Sequence, residues 1–273
     1  MEDQNQEKSP QDDPFTERSN AERLWHEARL CLGFLTRSPV FSIEYSGHSS
    51  LTGACWAFPL VGVCVGLAAA LVLWLADGFG LASQLAALLA IASMILLTGA
   101  LHEDGLADTA DGFGLGGDTE KRLAAMRDPR IGVFGMVALI VVFSARWTAL
   151  ADLVSISFAE GATAIIAAAA ISRGILPYVM HAVANARQDG LSASAGRPES
   201  QPALIALGIA AFISLFVFGI SGTIVVAIVT AIVTIAIVAI ARRLIGGQTG
   251  DVLGAIQQVT EAAVLITAAG LVA

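Results

Sequence analysis

Charged residues are scarce in this sequence: they make up 14% of the chain, against about 25% in an average soluble domain. Its three cysteines, Cys31, Cys55 and Cys64, show neither C-x-x-C nor Cys/His spacing, which argues against a zinc or disulfide-exchange site. Basic stripes interleaved with aromatic residues are also lacking, so we do not expect a nucleic-acid partner. The remainder is rich in apolar residues, with 56% hydrophobic residues and 27 glycines. This composition indicates helices that pack closely in a lipid bilayer.

Seven apolar segments are long enough to cross a hydrocarbon core ~30 Å thick, which takes about 20 helical residues. They predict an all-α fold, a polytopic transmembrane helical bundle. The fifth and sixth segments are separated only by Gly219-Ile220-Ser221-Gly222, which predicts a tight reversal of the chain. The predicted spans are 51–76, 81–101, 133–151, 161–185, 203–219, 222–241 and 252–273.

The positions of lysine and arginine predict the orientation of the bundle. They occur before the first span and in alternate loops, so seven spans with a cytoplasmic N-terminus place every loop cation inside, as the positive-inside rule requires. We therefore expect a multi-pass protein of the cell (inner) membrane that contacts membrane lipid, and the sequence leaves a homo-oligomer open. The loop cations are Lys121, Arg122, Arg127, Arg130, Arg187, Arg197, Arg242 and Arg243.

The N-terminal segment divides into two parts. Residues 1–21 are polar and lack the apolar stretch of a signal peptide, which predicts a disordered cytoplasmic tail. Residues 22–36 predict a short interfacial helix that opens the membrane-embedded domain, 22–273. The apolar positions of this helix at helical spacing are Leu24, Ala28, Cys31 and Leu35.

An acidic cluster follows the second span. On a continuous helix, Asp104, Asp108 and Asp111 stand at i, i+4 and i+7, and their side chains share one face within about 60°. Like charges at this spacing repel each other, and hard divalent cations such as Mg²⁺ prefer carboxylate oxygens. The pattern favours a metal site over a solvated acidic loop that merely caps the span. His102 falls on the opposite side of the helix, which favours a hydrogen-bonding role, or a general base, over zinc binding.

Several cations and polar residues leave two interpretations open. The loop that contains Arg127 and Arg130 either sets the topology or grips phosphates. Arg146 and Arg173 fall inside predicted spans, where charge is costly, so each either forms a structural ion pair or meets an anionic substrate.

The last predicted span carries polar residues near its start. Asp251 can cap the free N–H groups of this helix. Capping does not account for Gln258 and Glu261, which lie within about 80° of Asp251 on the same helix. These three residues predict a second polar patch that faces the site.

The segment His102-Glu103-Asp104-Gly105-Leu106-Ala107-Asp108, continuing to Asp111-Gly112, resembles the motif of the cobalamin synthase family, the adenosylcobinamide-GDP ribazoletransferases. The chain departs from that family at Gln258, where an acidic residue is expected, and at Asn185 and Ser192. Further matching blocks follow in order: Phe34-Leu35-Thr36-Arg37 with Pro39, Phe58-Pro59-Leu60-Val61-Gly62, Arg127-Asp128 to Gly132 and Gly135, Ser172-Arg173-Gly174, Ala186-Arg187 with Gly190-Leu191, and Gly246 to Ala255.

The resemblance implies a Mg²⁺-dependent enzyme that faces the cytoplasm. It would join adenosylcobinamide-GDP to α-ribazole, or to its 5′-phosphate, and release GMP. By the same resemblance, the metal ligands would be Asp104, Asp108, Asp111, Asp251 and Glu261. The residues that bind phosphates would be Arg127, Arg130 and Arg173. The ribose hydroxyl group that attacks the diphosphate would be oriented or deprotonated by His102 or Glu103.

Two other functions compete with this one. A CDP-alcohol phosphotransferase-like phospholipid enzyme would share the core Asp108-Thr109-Ala110-Asp111-Gly112, but the downstream aspartates of that motif are missing from the sequence. A polytopic transporter would use Arg146, Arg173 and Glu261 along its pathway, but the sequence shows no internal repeat of the kind that transporters usually carry.

Overall fold

The computed structural model describes residues 20–37 and 51–272. In this part of the chain the backbone forms helices and loops, with a single isolated bridge between Asn185 and Gln248, which confirms the all-α fold. The helices are α1 Asn20–Leu35, α2 Leu51–Ala54, α3 Phe58–Gly78, α4 Ser83–Thr98, α5 Leu101–Gly114, α6 Thr119–Ala125, α7 Val133–Ile156, α8 Phe158–Gly174, α9 Leu176–Ala182, α10 Leu191–Ala195, α11 Ser200–Ile245 and α12 Gly250–Val272.

Five helical segments are long and apolar enough to cross a membrane, and the bent pair formed by α4 and α5 would make a sixth. This confirms a polytopic helical protein, while the count of seven spans and the cytoplasmic N-terminus stay predictions. The predicted tail, 1–21, lies outside the described residues except for Asn20 and Ala21, which begin α1. The five helical segments that are long and apolar enough to cross a membrane are Leu51–Gly78, Val133–Ile156, Phe158–Ala182, Ser200–Ile245 and Gly250–Val272.

Helix α11 is a hairpin of two helical arms, and the reversal falls at the predicted position. Gly219 has φ 65° and ψ −173°, which no helix accommodates. The hydroxyl oxygens of Ser214 and Thr223 lie 3.2 Å apart, although nine residues along a straight helix cover about 13 Å. The arms 200–218 and 220–245 therefore run back along each other.

The second predicted span does not continue into the acidic helix. Gly99 and Ala100 both adopt left-handed backbone conformations, with φ 65° and φ 59°, and α4 and α5 are bent by 89° at this point. The predicted segment 81–101 is thus interrupted after Thr98, and the acidic residues belong to a separate helix that turns away from α4. Glycine at position 99 also makes room for the side chain of Arg37, which lies against it.

Arg37, two residues beyond helix α1, lies against this bend. Leu30, Cys31 and Leu35 are buried, and the backbone N–H of Arg37 donates to the carbonyl of Leu97 over 2.8 Å. The predicted helix 22–36 corresponds to α1, Asn20–Leu35, and its interfacial position stays a prediction.

Small residues let α3 and α8 approach closely at the centre of the bundle. A Cβ atom on Gly66 would lie 2.6 Å from the Cα atom of Ile166, and one on Gly62 would overlap the carbonyl oxygen of Ala169. Gly62 and Gly66 are four residues apart and so lie on one helix face. Close backbone contact of this kind drives helix association in lipid, where burial of apolar surface gives no advantage.

Replacing Gly62 with Ala is expected to destabilise the protein by about 1–3 kcal/mol, since the added methyl group has no space and the helices must separate. Gly208→Ala is the matched control, because no atom lies within 4 Å of a Cβ at Gly208. Thermal unfolding in detergent measures both. Equal midpoints for the two variants would contradict the close α3–α8 contact.

Candidate functional site

The predicted acidic face lines a groove of about 550 Å³ between α5 and the loop that follows α6. Asp104 and Asp108 line this acidic groove from α5, and Arg127 and Asp128 line it from the loop. In the part of the chain that the structure describes, the carboxylates of Asp104 and Asp108 have no hydrogen-bond or ion-pair partner. They are therefore free to bind a ligand from the groove.

Asp111 is held by the start of α7. Its two carboxylate oxygens accept hydrogen bonds from the backbone N–H groups of Gly132, over 2.7 Å, and Gly135, over 2.8 Å. Negative charge is favourable at a helix N-terminus, and a Cβ on either glycine would collide with the carboxylate. The predicted ligand Asp111 thus anchors α7, and Asp104 and Asp108 remain as the unpaired carboxylates of the face.

Helix α12 brings a further carboxylate, that of Asp251, close to Asp104 and Asp108. A Cβ on Gly105 would lie 2.8 Å from the carbonyl oxygen of Asp251, so the first turns of α5 and α12 touch. As a result Asp108 experiences the negative charges of Asp104 and Asp251. The predicted polar start of α12 does face the acidic cluster.

Two arginines flank the groove, and both are held by one exposed carboxylate. Arg127 makes a two-oxygen contact to Asp189, with distances of 2.5 and 2.7 Å. Arg187 lies 3.7 Å from Asp189 and 3.2 Å from Asp251, and its buried Nη1 atom has no partner among the described residues. Our sequence analysis did not select Arg187 or Asp189 as site residues, although Arg187 stands in one of the matching blocks.

The loop that carries Arg187 is fixed by a polar cluster. The backbone N–H of Ala186 donates to the carbonyl of Gln248 over 2.8 Å, and the side chain of Gln248 hydrogen-bonds both Asn185 and Ser192. The two departures from the family pattern, Asn185 and Ser192, thus meet at one glutamine and position the loop together.

Arg130 is bound to its own neighbour. Its guanidinium group donates two hydrogen bonds to Asp128, of 2.9 and 2.7 Å. These contacts lower the pKa of the Asp128 carboxyl to about 2, so the carboxylate stays ionised at physiological pH and neutralises Arg130. Arg122 donates to the last carbonyls of α5 and so caps that helix, which leaves Arg127 as the loop cation that faces the acidic groove.

Four charged side chains form an interior network that reaches the acidic groove at Glu103. Arg146 lies 2.5 Å from Glu261 and 3.2 Å from Glu103, and Arg173 lies 3.2 Å from Glu261. The Gln258 side chain accepts from Arg146 over 2.6 Å and donates to Glu103 over 3.0 Å. Two positive and two negative side chains therefore pair with each other, which is the structural interpretation that the sequence left open for Arg146 and Arg173.

This network corrects two predicted roles, those of Glu261 and Arg173, and bears on a third. Glu261 is 0% exposed, and both of its oxygens contact guanidinium groups, so it does not join Asp104 and Asp108 as a metal ligand. Arg173 is 2% exposed and is not available to a phosphate. Glu103 accepts from Arg146 and Gln258 through Oε1, whereas its Oε2 atom has no partner among the described residues and the residue lines the acidic groove, so its role as a base stays a prediction.

His102 is also buried, with 3% of its surface exposed. Neither of its ring nitrogens has a hydrogen-bond partner in the described part of the chain. The residue lines a smaller cavity that adjoins the acidic groove at Asp104.

The residues present suit Mg²⁺ held jointly with a substrate. No group of three or more His, Cys, Asp or Glu side chains among the described residues is placed to hold a metal ion by itself. Mg²⁺ characteristically uses one or two carboxylates and completes its shell with water and substrate phosphates. The unpaired carboxylates of Asp104 and Asp108 meet that requirement.

Comparison with known proteins gives the family. The model of a family described as cobalamin-5-phosphate synthase matches residues 27–269. Proteins named adenosylcobinamide-GDP ribazoletransferase are similar to this chain over most of their length. One from Bradyrhizobium diazoefficiens is 42% identical, over 89% of this chain and 93% of its own length. Another from Mesorhizobium japonicum is 43% identical, over 90% of this chain and 93% of its own length. No solved structure matches. With its acidic groove inside the matched region, the chain belongs to the cobalamin-5-phosphate synthase family.

Proposed function

We propose that the chain joins adenosylcobinamide-GDP to α-ribazole, or to its 5′-phosphate, in the assembly of the cobalamin nucleotide loop. The observation that carries the proposal is the acidic groove, where two unpaired carboxylates face a loop arginine. The relatives of this chain are named for this reaction.

The proposed reaction is a substitution at phosphorus. A ribose hydroxyl of α-ribazole forms an O–P bond to the phosphorus next to the cobinamide, and the P–O bond to the GMP phosphate breaks. The hydroxyl proton passes to water at the open groove. Charge spreads over the phosphoryl oxygens in such transition states, so the protein contributes mainly by positioning the reactants and by electrostatic stabilisation.

Asp104 and Asp108 are the residues that would hold Mg²⁺ in this proposal. When bound, the ion would neutralise negative charge on the diphosphate oxygens. Without a cation these carboxylates, with Asp251 behind them, would repel the diphosphate. The groove therefore favours a substrate that arrives with a divalent metal.

Arg127 and Arg187 are placed to bind the diphosphate. Guanidinium groups form charge-assisted hydrogen bonds to phosphate and carboxylate alike, and both carboxylate oxygens of Asp189 accept from the Nη2 atom of Arg127. Asp189 is 65% exposed, so a phosphate can displace it without opening the protein. We infer that the substrate takes its place between the two arginines.

Replacing Asp189 with Asn is expected to lower KM for adenosylcobinamide-GDP by about two- to fivefold, because an exposed ion pair is worth on the order of 0.2–1 kcal/mol and its loss frees Arg127. Asp189→Glu keeps the charge and should leave KM near the wild-type value. Steady-state kinetics at saturating α-ribazole measure both variants. A higher KM for Asp189→Asn would show that Asp189 supports substrate binding instead.

The proposed function itself is tested with purified protein in detergent. Incubation with adenosylcobinamide-GDP, α-ribazole and Mg²⁺ should yield adenosylcobalamin and GMP in equal amounts, and chelation of the metal should stop both. The experiment repeated with α-ribazole 5′-phosphate identifies the preferred acceptor. Failure to form corrinoid product or GMP with either acceptor would sink the proposal.

A further inference from the structure

The smaller cavity beside His102, which we call the inner cavity, receives no part of the substrates in the proposal above. It has a volume of about 100 Å³ and opens beside Asp104 and Asp251. Most of its other lining side chains are apolar and come from α1, α3, α9, α10 and α12. A mainly apolar cavity with a few polar groups is typical of a small-molecule site.

The lining of the inner cavity changes from one end to the other. Leu35, Phe58 and Leu176 are each at most 3% exposed, whereas Asp104 is exposed at the groove. The rings of Phe34 and Phe58 are nearly parallel, with an interplanar angle of 16° and centroids 6.3 Å apart. A ligand group in this cavity would thus meet apolar side chains, among them this aromatic pair, inside and carboxylates at the mouth.

The volume decides which part of a substrate fits. An apolar cavity of about 150 Å³ accepts a benzene molecule, whereas whole drug-sized ligands need about 300–1,000 Å³. At about 100 Å³, the inner cavity is smaller than that, so it can take only the edge of one aromatic ring system. It is too small for a corrin ring or a guanosine.

We infer that the inner cavity is the subsite for the aromatic base of α-ribazole. The inference rests on the proposed function. The edge of the benzimidazole base enters beside Phe34 and Phe58, and the ribose lies at the mouth beside Asp104 and Asp251, where its hydroxyl meets the diphosphate. His102, whose ring nitrogens lack a partner among the described residues, supplies the polar group in an otherwise apolar wall.

Ala195 provides the test, because it lines the inner cavity from the short helix α10 and is only partly buried. Ala195→Trp should fill the cavity and weaken the binding of α-ribazole by at least about tenfold, a factor that corresponds to 1.4 kcal/mol. Equilibrium dialysis of α-ribazole against the detergent-solubilised protein, without corrinoid, measures this directly. KM for adenosylcobinamide-GDP should change by less than about twofold, within ~0.4 kcal/mol.

Ala193→Trp is the matched control, since Ala193 belongs to the same helix but does not line the inner cavity, and it should leave the dissociation constant unchanged. Phe34→Ala is a second probe from α1 and should also weaken α-ribazole binding. Two results would refute the subsite, provided that the wild-type protein binds α-ribazole and forms product. The first is normal α-ribazole binding by both Ala195→Trp and Phe34→Ala. The second is that these variants raise only KM for adenosylcobinamide-GDP. Wild-type protein that forms no product refutes the proposed function instead.

Discussion

Asp108→Asn is expected to lower kcat by at least about 100- to 1,000-fold, the effect typical of removing one group that stabilises transition-state charge. The substitution keeps the size of the side chain and removes the charge that would hold Mg²⁺ against the diphosphate. Asp104→Asn should behave in the same way, because both carboxylates face the acidic groove without a protein partner among the described residues. Formation of GMP and of corrinoid product measures the loss.

Two controls separate this effect from misfolding. Neither Asp104 nor Asp108 forms an ion pair among the described residues, so both asparagine variants should insert into the membrane and unfold at the wild-type temperature. Asp77→Asn, at the far end of α3, should retain full activity. Near-normal turnover by Asp104→Asn or Asp108→Asn would mean that the acidic face does not hold the metal.

Glu261→Ala is expected to have the largest effect on stability. Removing one partner of a buried ion pair costs about 3–5 kcal/mol, because it leaves the other charge uncompensated, and here Arg146 and Arg173 both lose Glu261. Gln258→Ala should be milder, since it removes hydrogen bonds to Arg146 and Glu103 but no charge. Thermal unfolding and the yield of folded protein in detergent measure both.

Arg130→Ala is the matched control for this series. It breaks an ion pair whose arginine is 86% exposed, and water readily replaces such a contact, so its unfolding temperature should equal that of the wild type. If Glu261→Ala unfolded at the same temperature as Gln258→Ala, the charge of Glu261 would have no structural importance and the network would need another explanation.

The sequence predicts well the features that depend on neighbouring residues. Apolar length located the helices, Gly219 to Gly222 located the reversal in α11, and the spacing of Asp104 and Asp108 placed both on one helix face. Each of these rests on local geometry that a short segment determines by itself. The resemblance added the substrates, which residue chemistry alone does not supply.

Features that depend on tertiary contacts could not be predicted from spacing. The bend at Gly99 and Ala100 occurs in an apolar stretch without proline, so hydropathy continues through it. Asp111 has the right spacing for a metal ligand, but α7 begins beside it and takes up its oxygens. Arg146 finds Glu261 more than one hundred residues away, and no local pattern indicates that pairing.

The interior network also determines how the bundle responds to a voltage. Moving one elementary charge across a membrane potential changes the free energy by about 2.3 kcal/mol per 100 mV. Arg146, Arg173, Glu103 and Glu261 together carry no net charge, so the field does almost no net work on them when they move as a unit. The bundle can therefore keep four ionisable side chains between its helices in an energised membrane without becoming a voltage sensor.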